Sequence, residues 1–281
     1  MTTLLTVLVL TAAVLHASWN ALAKSGGAPE FSIAAYQLVG ALICAPMLFL
    51  VPAPARESWP MIITSVLVHN IYYFTLARAY RSGDLSQVYP LFRGMAPVMV
   101  TTGAAVFAGE YLSSATVAGI LIISVGLMSL TLMGRHLGAI PRAALGWGLA
   151  TSVLIAIYTV VDGLGVRASG NSLSYILWLF TFEVVPIGCW LLITQRQRWF
   201  GYMRGSLATV VFGGIASSTA YGLVIIALGM GAMGLVSSLR ETSVIFAAII
   251  GSVFLREPFG RQRIIAAVVV ASGIVLLKAF G

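Results

Sequence analysis

Val88–Tyr111 reads VYPLFRGMAPVMVTTGAAVFAGEY, and Leu235–Pro258 reads LVSSLRETSVIFAAIIGSVFLREP. The second stretch lies 147 positions after the first and aligns with it without a gap. Arg93 matches Arg240, Val106-Phe107 matches Val253-Phe254, and Glu110 matches Glu257. Beyond the quoted stretches, Gly126 and Leu130 match Gly273 and Leu277. The arginine-to-glutamate spacing is therefore 17 residues in both halves, and glutamate to glycine is 16. Self-similar apolar segments at one fixed offset mark a transporter built from two structural repeats.

Composition places those repeats in a membrane. The chain is 59% hydrophobic and 9% charged, whereas a soluble domain carries about 25% charged residues. Apolar runs near 20 residues, the length that crosses hydrocarbon, predict ten spans at roughly 2–23, 31–51, 60–80, 85–107, 113–133, 143–166, 172–194, 205–227, 232–255 and 262–279. The predicted organisation is a first five-span repeat over 1–133, a connecting loop over 134–142 and a second repeat over 143–281. An odd number of spans per repeat inverts the second half relative to the first. The fold class expected is an all-α integral membrane protein of two inverted five-helix repeats around a central cavity.

The net charge of +8 is a topology signal. With ten spans both termini share a side, and loops on that side hold only Arg56, Arg167 and Lys278. The opposite loops hold eleven basic residues: Lys24, Arg78, Arg81, Arg135, Arg142, Arg196, Arg198, Arg204, Arg256, Arg261 and Arg263. The positive-inside rule puts those eleven in the cytoplasm and both termini outside. This placement accounts for the charge without a nucleic-acid partner.

Other features point to no further class. The first 24 residues imitate a secretory signal, with Ala21-Leu22-Ala23 where cleavage would fall. They lack a basic start, and span 1 is needed to match span 6, so it is read as retained. The glycines of Gly229–Gly234 fit a dinucleotide pattern but sit between two spans instead of following a strand. Cys44 and Cys189 form no redox or metal motif. No phosphate-binding loop, voltage-sensor arginine series or potassium-filter sequence is present. Nothing indicates a catalytic constellation, a metal or a cofactor, and the chain is read as no enzyme.

The segment Leu235–Pro258, an apolar span closing on Arg256-Glu257-Pro258, together with the Gly273-containing span after it, resembles the EamA-type ten-span group of the drug/metabolite transporter superfamily. Its weaker copy ends in Val106-Phe107-Ala108-Gly109-Glu110, and Trp19 and Tyr158 also suit the family. The first copy departs in having Tyr111 where Pro258 stands, and in carrying Pro90 and Pro97 inside span 4, where they could break the helix. The resemblance implies a cavity lined by spans 1–4 and 6–9, with spans 5 and 10 peripheral. The residues agree, because spans 5 and 10 are almost purely aliphatic while polar side chains collect in the other eight.

Polar side chains inside a membrane are costly unless they face protein or water, so they mark a pathway. In span 3, His69, Tyr72, Tyr73, Leu76 and Tyr80 form one helical stripe, with Asn70 beside it. Trp19 and Asn20, with His16, offer a wall from span 1, and Tyr36 and Gln37, with Gly40, one from span 2. The span 7 counterparts are Phe182, Glu183 and Pro186. Tyr158, Ser217, Ser218, Tyr221 and Ser237 come from spans 6, 8 and 9. The substrate-binding set expected is Trp19, Asn20, Tyr36, Gln37, His69, Tyr72, Tyr73, Tyr158, Ser217, Tyr221 and Ser237.

Arg93 and Arg240 each lie eight residues into their spans, about 12 Å at 1.5 Å per residue. Entering from opposite faces, they are expected in opposite halves of the bilayer, as gating or anion-binding groups. The alternative is that they brace helices, Arg240 pairing with Glu183 or Glu241. Those two glutamates are the candidates for proton coupling, since loss of water disfavours a charged carboxylate and a guanidinium neighbour restores it. Asp162 reads as interfacial, and Glu110 and Glu257 as structural caps on the C-terminal ends of spans 4 and 9. The function expected is secondary active transport of a small polar or amphipathic metabolite such as an amino acid, organic acid or amine in the cytoplasmic membrane, with export as the expected direction and proton coupling as a candidate mode. The alternative is uncoupled facilitation. Partners are the solute, the lipid bilayer and protons.

Overall fold

The computed structural model describes residues 2–25, 28–82, 85–132, 141–254 and 261–280, and every regular element in them is helical. The helices are α1 (Thr3–Ser25), α2 (Pro29–Met47), α3 (Trp59–Ser82), α4 (Leu85–Ala108), α5 (Ser114–Leu132), α6 (Arg142–Ala168), α7 (Ser172–Thr194), α8 (Arg196–Gly205), α9 (Leu207–Met230), α10 (Met233–Arg240), α11 (Ser243–Phe254) and α12 (Arg261–Phe280). Short 3₁₀ turns at Leu48–Leu50 and Arg56–Ser58 join α2 to α3. Arg256-Glu257-Pro258 and most of the 134–142 loop lie outside the described residues, as does the side chain of Tyr80.

Among the described residues six helices are long and apolar enough to cross a membrane: α1, α2, α3, α6, α7 and α9. Shorter apolar helical stretches occupy Phe92–Ala108, Ser114–Leu130 and Ile264–Phe280. The exterior is correspondingly apolar, with Leu42, Ile63, Phe74, Ile193, Phe212 and Val275 all exposed. A belt of exposed aliphatic and aromatic side chains on this scale belongs in hydrocarbon.

Local chemistry sets the helix ends. Pro29 opens α2, where its missing N–H would have had no helical partner. The Asn171 side chain accepts from the Ser174 N–H at 3.1 Å and caps α7. Gly109, at φ 65°, ends α4 in the left-handed conformation that glycine adopts without strain.

Two elements differ from the sequence reading. Span 9 is not one helix: α10 stops at Arg240, and α11 begins at Ser243. At the break the N–H of Thr242 reaches back to the Leu239 carbonyl, Val244 to Glu241 and Ile245 to Thr242, each three residues away. Thr242 Oγ1 also donates to the Leu239 carbonyl at 2.7 Å, and such side-chain competition loosens a helical ladder. Conversely, α4 runs unbroken through Pro90 and Pro97. The copy with prolines is continuous, and the copy without them is broken. The second difference is α8, an amphipathic helix between α7 and α9 where a loop was expected. Its Trp199 is buried beside Phe31 and Leu191, while basic residues punctuate the turn around it.

The helices pair across the two halves of the chain. α1 packs on α9, α3 on α6, α2 on α7, and α5 on α12, while α4 packs on both α6 and α10. The matched glycines Gly126 and Gly273 both fall in the α5–α12 seam. A Cβ on Gly273 would lie 3.0 Å from the Gly119 carbonyl oxygen, and one on Gly126 would press on Val269.

Candidate functional site

The spacing that put one aromatic stripe on α3 becomes a cavity wall when α3 packs on α6 and α7. The cavity is lined by His16 and Trp19 of α1; Tyr36, Gln37 and Gly40 of α2; and His69, Tyr72 and Tyr73 of α3. The remaining lining is Tyr158 of α6, Phe180 and Glu183 of α7, and Ser217, Ser218 and Tyr221 of α9. Nine of the eleven expected binding residues are therefore on the wall. Asn20 and Ser237 are not. Asn20 turns back on its own helix and donates to the His16 carbonyl at 2.8 Å, and Ser237 is buried in α10. Leu76 packs in the core with Phe92 and Ile155.

Phe180 is the wall residue the sequence reading missed. It lies three residues before Glu183, hence on the same helix face, and that spacing was the available signal. Phe182, the residue chosen instead, is 37% exposed and packs with Trp59 and Trp178. Among the described residues no wall side chain comes from α4, α10 or α11, the elements of spans 4 and 9, which the resemblance had placed on the cavity.

The rings hold one another in place. His69 stacks on Tyr158 with centroids 4.1 Å apart, and Tyr221 meets both at 5.2 and 5.8 Å. The His69 Nδ1 lies 3.0 Å from the Ser65 carbonyl and 3.1 Å from its hydroxyl, which fixes the ring plane. On the other side Trp19 stands edge-on to His16 at 5.0 Å and to Tyr36 at 6.4 Å. Edge-to-face and stacked pairs of this kind contribute about 0.5–1.5 kcal/mol each beyond burial.

Glu183 is anchored from α3. The Tyr73 hydroxyl donates to its Oε1 at 3.0 Å, and Asn70 Nδ2 donates to its backbone carbonyl at 3.1 Å. The amide N–H of Gln37 faces and hydrogen-bonds the carboxylate, while the Gln37 amide oxygen and the Tyr36 hydroxyl have no partner within the protein. Unpaired polar groups on a cavity wall are groups available to a ligand.

The two repeat-matched arginines converge. Arg93 Nε lies 2.6 Å from Glu241 Oε2, and Arg240 reaches Oε1 at 3.5 Å. All three side chains are at most 3% exposed. Arg93 also donates to Ser243 Oγ at 3.2 Å, and the Arg240 guanidinium lies 5.9 Å from the Tyr158 ring centroid. Of the two carboxylates offered to Arg240, the structure supplies Glu241, and it supplies it to Arg93 as well. The separation expected from opposite entry closes for a metric reason. Two depths of about 12 Å in a core of about 30 Å leave only a few ångströms between them, which two long side chains cross.

Asp162 and Glu110 depart from their expected settings. Asp162 is fully buried, accepting from Tyr175 at 2.9 Å and from the Tyr221 hydroxyl. Because α6 continues to Ala168, Asp162 lies well inside the bundle, and Gly165 leaves room for the Tyr175 ring. Glu110 caps another helix instead of its own, accepting from the Met233 N–H that opens α10 at 2.8 Å and pairing with Arg167.

The sequence model of the EamA-like transporter family matches residues 142–279. Through that half the chain belongs to the EamA-like transporter family, part of the drug/metabolite transporter superfamily. One solved crystal structure superposes with a TM-score of 0.82 over 99% of this chain and 98% of its own, at 18% sequence identity. At that identity the likeness establishes the shared fold. No curated protein matches in sequence.

Proposed function

We propose that this chain is a secondary active transporter that carries a small polar or amphipathic metabolite out of the cell by alternating access. The observation that carries the reading is the cavity itself: an aromatic, hydrogen-bonding chamber enclosed by apolar-faced helices, with one carboxylate on its wall. The helix pairing supports ten crossings in two inverted repeats. Exchanging the two halves turns the α1–α9 pair into the α6–α3 pair and leaves α2–α7 and α5–α12 unchanged. Bilayer orientation follows the basic-residue asymmetry, with both termini outside a cytoplasmic membrane.

Coupling to the proton gradient runs through Glu183 in this reading. Glu241 is held between two guanidinium groups, whereas Glu183 meets the cavity directly. The Arg93–Glu241–Arg240 cluster ties α4 to α10 at the break before α11 and acts as the inter-repeat latch. The test is solute accumulation in proteoliposomes with and without a pH gradient, on candidates first selected by thermal stabilisation. Accumulation only with the gradient supports coupled transport, and equilibration at the same rate in both conditions supports the uncoupled reading.

A further inference from the structure

The sign of the substrate's charge can be read from which charges the bundle has already matched. Among the described residues the buried charged side chains are Arg93, Asp162, Glu183, Arg240 and Glu241. They carry two positive and three negative formal charges, so the interior is left at net −1. Glu241 takes both arginines, and neither guanidinium lies on the cavity wall. The cluster's surplus positive charge is offset by buried Asp162, whose oxygens accept from Tyr175 and Tyr221. Glu183 remains, hydrogen-bonded by the neutral Tyr73 hydroxyl with no cation beside it among the described residues.

We propose that the cavity takes a monovalent organic cation, an amine or quaternary ammonium, with its charged nitrogen beside Glu183 and its alkyl or aryl part against the surrounding rings. A buried carboxylate without a counter-charge is costly in a medium of low dielectric, and a bound ammonium supplies the missing charge. The wall is built for that species. Trp19, Tyr36, Tyr73, Tyr158 and Phe180 present ring faces and edges, and the quadrupole of such a face attracts a desolvated cation. The Gln37 amide oxygen and the Tyr36 hydroxyl, unpartnered in the protein, accept from the N–H groups of a primary amine. Among the described residues no lysine or arginine side chain lies on this wall, so an anion would meet the Glu183 charge directly. The assignment rests on the transporter reading for its biological meaning, and on the charge balance alone for its chemistry.

The experiment compares isosteric probes on the purified full chain: phenethylamine, benzyltrimethylammonium, the neutral 2-phenylethanol and the anion 3-phenylpropionate. Calorimetry and thermal unfolding should show the two cations binding and stabilising, with the alcohol and the acid at least about tenfold weaker, the difference one charge-assisted contact makes. Glu183→Gln should abolish that preference by weakening the cations to the level of the alcohol. Equal binding of alcohol and amine, tighter binding of the acid, or no binding of either cation overturns the proposal on the native chain, whether or not the variant folds. Counterflow of labelled phenethylamine in proteoliposomes separates this inference from the transporter reading. Specific binding without counterflow sustains the cation site and defeats transport, whereas counterflow of 3-phenylpropionate but not of the amine does the reverse.

Discussion

Arg93 Nε sits 2.6 Å from Glu241 Oε2, so the arginine of the first half is neutralised by a carboxylate that the second half places next to its own arginine. The matching position in the first half is Gly94, where a side chain would collide with the Ser124 carbonyl and with Met128. At the matched positions 93/94 and 240/241 the two copies therefore carry two arginines and one acid. The ion cluster is shared between the halves instead of being built twice.

Arg93→Ala and Arg240→Ala should each insert in the membrane and fail to transport, because each removes one side of the inter-repeat latch. Glu241→Gln should be the most destabilising change in the cluster, since it leaves two buried guanidinium groups facing each other. Breaking a buried pair from one side costs about 3–5 kcal/mol. A double-mutant cycle on Arg93 and Glu241, read by thermal unfolding, should show strong coupling. Normal transport by both inserted arginine variants would end the gating role.

Glu183→Gln should end gradient-driven accumulation in proteoliposomes while leaving the fold intact, because the amide still accepts from Tyr73. Accumulation at the native rate would remove Glu183 from the coupling step. Tyr73→Phe serves as the control: it deletes the 3.0 Å hydrogen bond and keeps the carboxylate, so coupling should persist with altered affinity.

Glu110→Ala should lower the unfolding temperature without changing ligand preference. It removes the acceptor from the Met233 N–H and the partner of Arg167 together. Loss of a helix cap costs about 0.5–2 kcal/mol, and Arg167 retains its bonds to the carbonyls of Leu228 and Gly231. A change in substrate selectivity with unchanged stability would refute this structural role.

A fluorescent reporter that matures only in the cytoplasm should be dark when fused after Gly281 and bright when inserted at residues 134–142. The opposite pattern would reverse the bilayer orientation and the direction in which the repeats face, while leaving the cavity geometry untouched.

The sequence by itself determined that the chain is helical and membrane-embedded, and which residues share a helix face. Span length is a property of contiguous apolar residues, and a 3.6-residue period puts His69, Tyr72 and Tyr73 together whatever they pack against. This is why most of the cavity wall was legible before any fold was known. Tertiary structure alone decided which charges meet. Whether Arg240 found Glu183 or Glu241 depended on the rotation and depth of α7 and α10, and whether Asp162 met water or two tyrosines depended on α7 and α9 packing over the end of α6. It also decided that the proline-free copy breaks while the proline-bearing one stays one continuous helix, since a Thr hydroxyl rebuilds the backbone bonding locally and the guanidinium–carboxylate cluster holds the break. Periodicity acts within one helix. Pairing between helices is set by the fit of their surfaces, and one residue of rotation, about 100°, exchanges one partner for another.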